Sequence, residues 1–308
     1  MSEMIDPTVH APTDSMPAET SARPMSKWTL YSRRFMRNKP AVAGIVIFVL
    51  LVLFAIIGPL IARYDHIELD FLNLGTGPSA DHWFGTTAAG NDTFAQVALG
   101  TQRSLMIAVT VSVGVTVLSA IVGTAAAYFG GWTEKITLTV IHFMMVIPSF
   151  LILSLMSNRA GGNWLVISLI MVFIVGWYFP ARVVWTTALS LREREYVHAA
   201  RYMGVSGMRI VMRHLLPNIG SLLVINFTLG IVSAVMAETG LSFIGFGVKI
   251  PDVSLGSLIG SGANTITSAP WLFYFPAAAL TLLTVSMALV SDGLRDALDP
   301  TSAAGGRA

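Results

Sequence analysis

Apolar residues gather in six long runs, separated by polar and glycine-rich stretches, and this spacing is the first structural fact about the chain. The runs cover about 41–62, 105–129, 136–156, 165–187, 219–237 and 271–291. The first is nearly unbroken, and at 1.5 Å per residue a run of that length crosses a hydrocarbon core of ~30 Å. A helix satisfies its own backbone in lipid, and no alternating pattern of about ten residues suggests a barrel. The pattern therefore predicts an all-α membrane protein with six transmembrane helices. Pro148 and Pro180 fall inside the third and fourth runs, where each predicts a bend, as a static kink or as a hinge.

The segments between the runs differ from one another. Residues 1–26 hold four prolines among Ser, Thr, Ala and acids and read as a disordered tail. Residues 27–40 interleave Trp28, Tyr31 and Phe35 with Lys27, Arg33, Arg34, Arg37 and Lys39, a basic amphipathic helix for a membrane surface or the positive flank of the first span. The segment 63–104 is acidic, with Asp92 placed to cap a short helix. Its His82 and carboxylates invite a metal, although their spacing fits no zinc or calcium pattern. Residues 238–270 are too interrupted by glycine to span, and Glu238 reads as a solvated acid at the end of the fifth run. Residues 294–308 form a closing tail. Arg182 is expected to snorkel from the end of the fourth run.

Composition agrees with the pattern. The chain has 308 residues, 54% of them hydrophobic and only 12% charged, with a mean hydropathy of +0.69. With no cysteine, disulfides and thiol chemistry are excluded. The net charge of +2 is small, but its distribution is lopsided. With both termini inside, 15 of the 19 Lys and Arg fall on the inner side, and only Arg63, Arg103, Arg159 and Lys249 fall outside. The positive-inside rule favours that orientation.

The inner segment 190–217 carries the most information. Helix formers run from about Leu191 to Met203, and Gly204 follows as an αL terminator. Ser206 is placed to cap a second helix, 207–216, which stops at Pro217. Val197, Ala200 and Gly204 share one face of the first leg, and Met208, Val211, Met212 and Leu215 one face of the second. Such an elbow suits docking into another protein's groove.

Several catalytic constellations are missing. Each of the four lysines follows Ser, Asn, Glu or Val, so no phosphate-cradling Gly-Lys-Ser/Thr loop exists. There is no Gly-x-Ser-x-Gly and no His-Glu-x-x-His. The runs also lack the central cluster of acids and bases typical of an ion-coupled carrier. A stand-alone carrier or channel remains the alternative to a conduit driven by a separate motor.

Four segments carry a family resemblance in the same order. His82-Trp83-Phe84-Gly85-Thr86, His198-Ala199-Ala200 with Gly204 and Leu216-Pro217, Leu241-Ser242-Phe243-Ile244-Gly245, and Asp292-Gly293-Leu294-Arg295 through Asp299-Pro300 are similar to the C-type permeases of bacterial dipeptide, oligopeptide and nickel ABC importers. The resemblance implies a type I ABC-importer permease core of the MetI-like kind over 105–293. It also implies that 190–217 is the cytoplasmic EAA coupling loop, with Glu195, His198, Ala199, Ala200, Gly204, Leu216 and Pro217 facing the ATPase. His198 stands where the family signature has Glu. Further implications are a second homologous permease, two ABC ATPase subunits that hold ATP–Mg, an extracytoplasmic solute-binding protein and a place in the inner membrane. No cofactor and no catalysis are expected in this chain. The implied cargo is a short peptide, with nickel chelates, glutathione or haem as alternatives.

Overall fold

The computed structural model describes residues 27–159, 161–249 and 251–298. The proposed tail at 1–26 and the closing Asp299-Pro300 lie outside these. Among the described residues the fold is helical, and its one β feature is an isolated antiparallel bridge between Thr86 and Asp92.

A basic helix α1 (Lys27–Arg37) leads through Asn38 into α2 (Lys39–Ile61). The Asn38 side chain caps α2 by accepting from the Ala41 amide, 3.1 Å away, and Pro40 sits in the first turn, where its missing N–H costs nothing. Phe35 on α1 is buried against Ala41, Val290, Leu294 and Ala297.

The third element, α3 (Thr93–Phe129), is the axis of the bundle. Asp92 caps it through Oδ1, 2.8 Å from the Ala95 amide. The short helix expected after Asp92 is thus the opening of a 37-residue one. That helix is roughly 55 Å long, so its first turns stand clear of a ~30 Å core. The rest of the acidic segment folds back over this end: Trp271 Nε1 donates to Thr86 O at 3.2 Å, and Phe84 stacks on Phe275.

Next come α4 (Gly131–Val146) and α5 (Ser149–Arg159), bent by 83° at Ile147-Pro148. Then α6 (Trp164–Ile170) runs through a π-helical turn, Met171–Gly176, to a break at Trp177 before α7 (Tyr178–Arg192), a bend of 47°. Pro148 accounts for the first bend. Pro180 lies in the first turn of α7, and the bend sits just ahead of it, beside the widened π turn. Among the described residues four helices are each long and apolar enough to cross a membrane: α2, α3, α11 (Gly220–Phe243) and α13 (Trp271–Leu298). Counting each bent pair as one span raises the number to six.

Small residues let these helices approach. A methyl at Gly123 on α3 would fall 2.6 Å from the Ala181 carbonyl of α7, and one at Gly44 on α2 would fall 2.7 Å from the Ser286 carbonyl of α13. Between α11 and α13 a short helix, α12 (Leu255–Ala263), packs back into the bundle. It begins with a reciprocal Ser254–Ser257 capping box. Here Glu238 departs from expectation. It is 0% exposed, within α11, and its Oε1 accepts from Ser242 Oγ at 2.5 Å and Ser254 Oγ at 2.6 Å. The sequence pattern alone had made it a solvated end, because the returning helix that covers it is far along the chain.

Candidate functional site

The elbow is built at the end of α3 where α4 begins and α7 stops. Its first leg, α8 (Glu195–Tyr202), ends in a Schellman motif. The Val205 amide donates to Ala200 O at 3.1 Å and the Gly204 amide to Arg201 O at 3.0 Å. Gly204 takes φ +77, the left-handed conformation this motif needs, as its sequence position predicts. The second leg is less regular than expected. It comprises α9 (Gly207–Ile210), a π turn over Val211–Leu215 and the single turn α10 (Leu216–Asn218). Pro217 does not stop this leg. It stands in the first turn of α10, and the break comes at Ile219. Ser206 occupies the cap position of α9 with extended backbone but makes no side-chain cap bond.

One side of the elbow is anchored. Val197, Ala200, Ile210 and Leu215 are buried with Ala127 of α3 and Ala188 of α7. A methyl at Gly207 would meet the Tyr128 ring at 2.7 Å, so this leg passes directly beneath the end of α3. Arg192 Nη1 donates to Ala127 O at 2.8 Å, satisfying a terminal carbonyl of α3, while its Nε donates to Glu193 Oε1 at 2.9 Å. That hydrogen bond, with the Arg192 and His198 charges, holds the Glu193 carboxyl below its usual pKa. A cavity of about 370 Å³ lies between the end of α3 and the elbow, bordered by Tyr128, Arg192, His198 and Arg201.

The other side is bare. Tyr202, Met203, Met208 and Met212 are 88%, 76%, 61% and 56% exposed. This corrects the expected apolar face of the second leg: Val211 and Leu215 turn inward, with Ile210, while Met208 and Met212 turn out. Of the predicted site residues, Ala200 is buried, His198 and Leu216 are half-buried, and Glu195, Ala199, Gly204 and Pro217 are exposed. His198 Nε2 lies 3.5 Å from Glu193 Oε2, so the carboxylate beside the imidazole is that of Glu193. Arg192 and Tyr128 were invisible to motif reading, since each works through a contact between the end of α3 and a distant part of the chain, and Glu193 gains its place through Arg192 and His198.

The metal possibility in the acidic segment closes differently. Both ring nitrogens of His82 are engaged by carboxylates, Nδ1 with Asp92 at 2.8 Å and Nε2 with Asp70 at 3.2 Å. No lone pair is left for a metal, and no group of three or more candidate ligands that could hold an ion occurs among the described residues.

Bent and straight apolar helices around one long axis, with an anchored elbow at one end, define a multi-pass helical membrane protein. The profile of the binding-protein-dependent transport system inner membrane component matches residues 116–303. That of the N-terminal TM domain of oligopeptide transport permease C matches residues 26–76. The chain belongs to the family of binding-protein-dependent transport system inner membrane components, and as such is a non-catalytic permease component. It is 44% identical over 278 residues to the oligopeptide transport system permease protein OppC of Mycobacterium tuberculosis H37Rv, covering 90% of this chain and 96% of that one. It is 34% identical to the OppC of Bacillus subtilis 168, over 91% of this chain and 92% of that protein. With the dipeptide transport system permease protein DppC of Alkalihalophilus pseudofirmus it shares 32% identity, over 97% and 98% of the two chains.

Proposed function

We propose that this chain is one of two permease subunits of an ATP-driven importer of short peptides, forming half of the translocation path across the inner membrane. Separate ATPase subunits, which hold ATP–Mg, drive it through the elbow at 190–217. A second, homologous permease and an extracytoplasmic solute-binding protein complete the assembly. The peptide cargo is supported by the relatives named for oligopeptide and dipeptide transport.

The observation that carries the coupling role is the two-sidedness of the elbow. Its inner face is keyed to the ends of α3 and α7, while Tyr202, Met203, Met208 and Met212 project as an uncovered apolar tip. A rigid element fixed to the bundle and apolar at its tip transmits a movement of whatever grips the tip.

Topology supports the orientation. With six spans, α2 leaves the elbow end of the bundle, α3 returns to it, and α13 ends there beside α1, joined by Asn38 Nδ2 to Asp296 Oδ2 at 3.1 Å. That end gathers Arg33, Arg34, Arg37, Lys39, Lys135, Arg192 and Arg201 and is the cytoplasmic one, with both termini inside. Cysteine introduced at Met203 tests the reading. It should cross-link to an ATPase subunit that co-purifies with the chain; a tip that stays reactive to water-soluble reagents in the assembled complex overturns it.

A further inference from the structure

Arg182, exposed on α7 within an apolar run, has no carboxylate partner among the described residues. Arg192, at the end of α7, is fixed at the elbow level by its bond to Ala127 O. Arg182 comes ten residues earlier on the same helix, roughly 15 Å further in, and its Nη1 reaches toward Met145 of α4 instead of turning back to the helix end. His142 on α4 follows Gly131, at the same elbow level, by eleven residues, which places it at roughly 16 Å. Both are exposed.

The surroundings rule out two ordinary explanations. Among the described residues nothing neutralises the guanidinium. Its Nη1 reaches the Met145 sulfur at 3.9 Å, a poor acceptor, and no ion pair to Arg182 occurs among the described residues. The acid on α4, Glu134, is taken by Trp185 Nε1 at 3.0 Å. Nor does the guanidinium suit lipid. Ala181, Val184 and Ala188 face inward, whereas Arg182, Thr186 and Ser190, at four-residue spacing, are exposed along a line running toward the elbow. The two hydroxyls return to their own helix, Thr186 Oγ1 to Arg182 O at 2.7 Å and Ser190 Oγ to Thr187 O at 2.8 Å, which leaves the guanidinium as the group that needs water or an anion. Just beyond Arg182 and His142, both helices break, α7 at Trp177 and α4 at Ile147-Pro148. A charged side chain beside broken helices within an apolar span is tolerated where the helix lines a water-filled passage.

We propose that Arg182, with His142 at a similar level on α4, is a carboxylate-recognition point in that passage and meets the C-terminal carboxylate of the peptide in transit. The inference rests on the peptide-importer reading above. Charge complementarity selects the occupant: every unmodified peptide carries a terminal carboxylate, so one fixed guanidinium serves the class without reading side chains. Its exposed setting suits transient contact, because a fully desolvated pair would hold the cargo.

The test is the acid-to-amide import ratio of the complete importer in liposomes. A pool of tri- to pentapeptides is compared with the same pool amidated at the C terminus, at matched occupancy of the solute-binding protein. The wild type should favour the free acids. In Arg182→Gln their kcat/KM should fall about tenfold, the scale of one charge-assisted hydrogen bond, and the ratio should approach one. Arg182→Lys should recover most of the preference. An unchanged ratio overturns the proposal. So does equal loss of both pools, partial or complete, which would assign Arg182 to an acidic side chain of a neighbouring subunit. If the wild type imports neither pool, the peptide reading itself fails, an outcome distinct from a functioning wild type with an indifferent Arg182→Gln.

Discussion

The Val205 amide and the Ala200 carbonyl, 3.1 Å apart, close the elbow. The bond brings Val205 into the apolar cluster around Ala200 and turns the chain back beneath the end of α3. It forms only because Gly204, between them, adopts φ +77. The small residues of the motif thus do separate jobs: Ala200 permits close packing, Ala199 lies on the open side, and Gly204 permits the reversal.

Gly204→Val is expected to uncouple transport. Nothing lies within 4 Å of a Cβ at this position, so the cost is purely one of backbone conformation, about 1–2 kcal/mol or somewhat more for a β-branched residue. That is enough to open the turn and too little to unfold the bundle. Uptake should fall while the protein stays in the membrane, and Gly204→Asn should be milder because Asn tolerates the left-handed region. Pro217→Ala should also be mild, since Pro217 is exposed in a first helical turn. Normal uptake by Gly204→Val would remove the coupling role from the elbow.

Arg192→Ala should loosen the elbow without disturbing the spans. The guanidinium bonds the terminal carbonyl Ala127 O and Glu193 at once, and loss of the Ala127 bond is worth about 1–2 kcal/mol. Hydrogen exchange should quicken in 195–203 and stay unchanged in 105–120. Lysine should rescue only in part, because a single ammonium does not reproduce the two-sided fork. Uniform acceleration across both regions would show that Arg192 supports the whole bundle instead.

How much of this was legible in the sequence depends on the range of the interactions involved. The long apolar runs, the breaks at Pro148 and near Pro180, and the Gly204 turn are local events, written in neighbouring residues. Asp92 was legible as a cap, but the length of the helix it opens was not, because Thr93 to Ser104 is only moderately apolar and borrows its burial from the folded acidic segment. Glu238 was misplaced because a charged residue near the edge of an apolar run reads as solvated, and only a distant element decides otherwise: Ser254 and its helix cover it. Met208 and Met212 point outward because Ile210, Val211 and Leu215 take the side packed against the ends of α3 and α7, a choice between two apolar edges of one leg that only those distant helices make.

His82 gives the acidic segment a defined pH response. Burial alone would lower the imidazole pKa, but hydrogen bonds and charge from Asp92 and Asp70 outweigh it, leaving the net value raised above 6.5. A pKa raised by folding stabilises the protonated form. The contribution is complete below about 6.5 and disappears as the pH climbs through the folded-state value. Asp70 works in the opposite sense. Hydrogen bonds from the Asn73 side chain, the Leu72 amide and His82 lower its pKa below 3.8, so its contribution is lost as the pH falls through that lowered value. Segment 70–92 should therefore be best protected from hydrogen exchange, after correction for intrinsic rates, between about pH 5 and 6.5. It should lose protection toward pH 9. His82→Gln should flatten that alkaline loss; a dependence that survives the substitution would assign it to another group.

Glu238 offers the cleanest separation of two substitutions. Its Oε1 takes both serine hydroxyls, and Ser242 Oγ in turn accepts from the Val248 amide at 3.3 Å, so one oxygen gathers the end of α11, the following loop and the start of the 255–263 helix. Oε2 has no hydrogen-bond partner. Glu238→Gln keeps an acceptor at the position that matters and should cost about 1 kcal/mol or less. Glu238→Leu leaves two buried hydroxyls without their acceptor, about 2–4 kcal/mol in all. Thermal unfolding in detergent should rank them in that order, with exchange rising first in 245–263. Adding Ser242→Ala to Glu238→Leu should recover part of the loss, because removing both partners of a buried bond costs less than removing one. Equal destabilisation by Gln and Leu would mean that the charge of Glu238, and not its single accepting oxygen, holds this end of the bundle together.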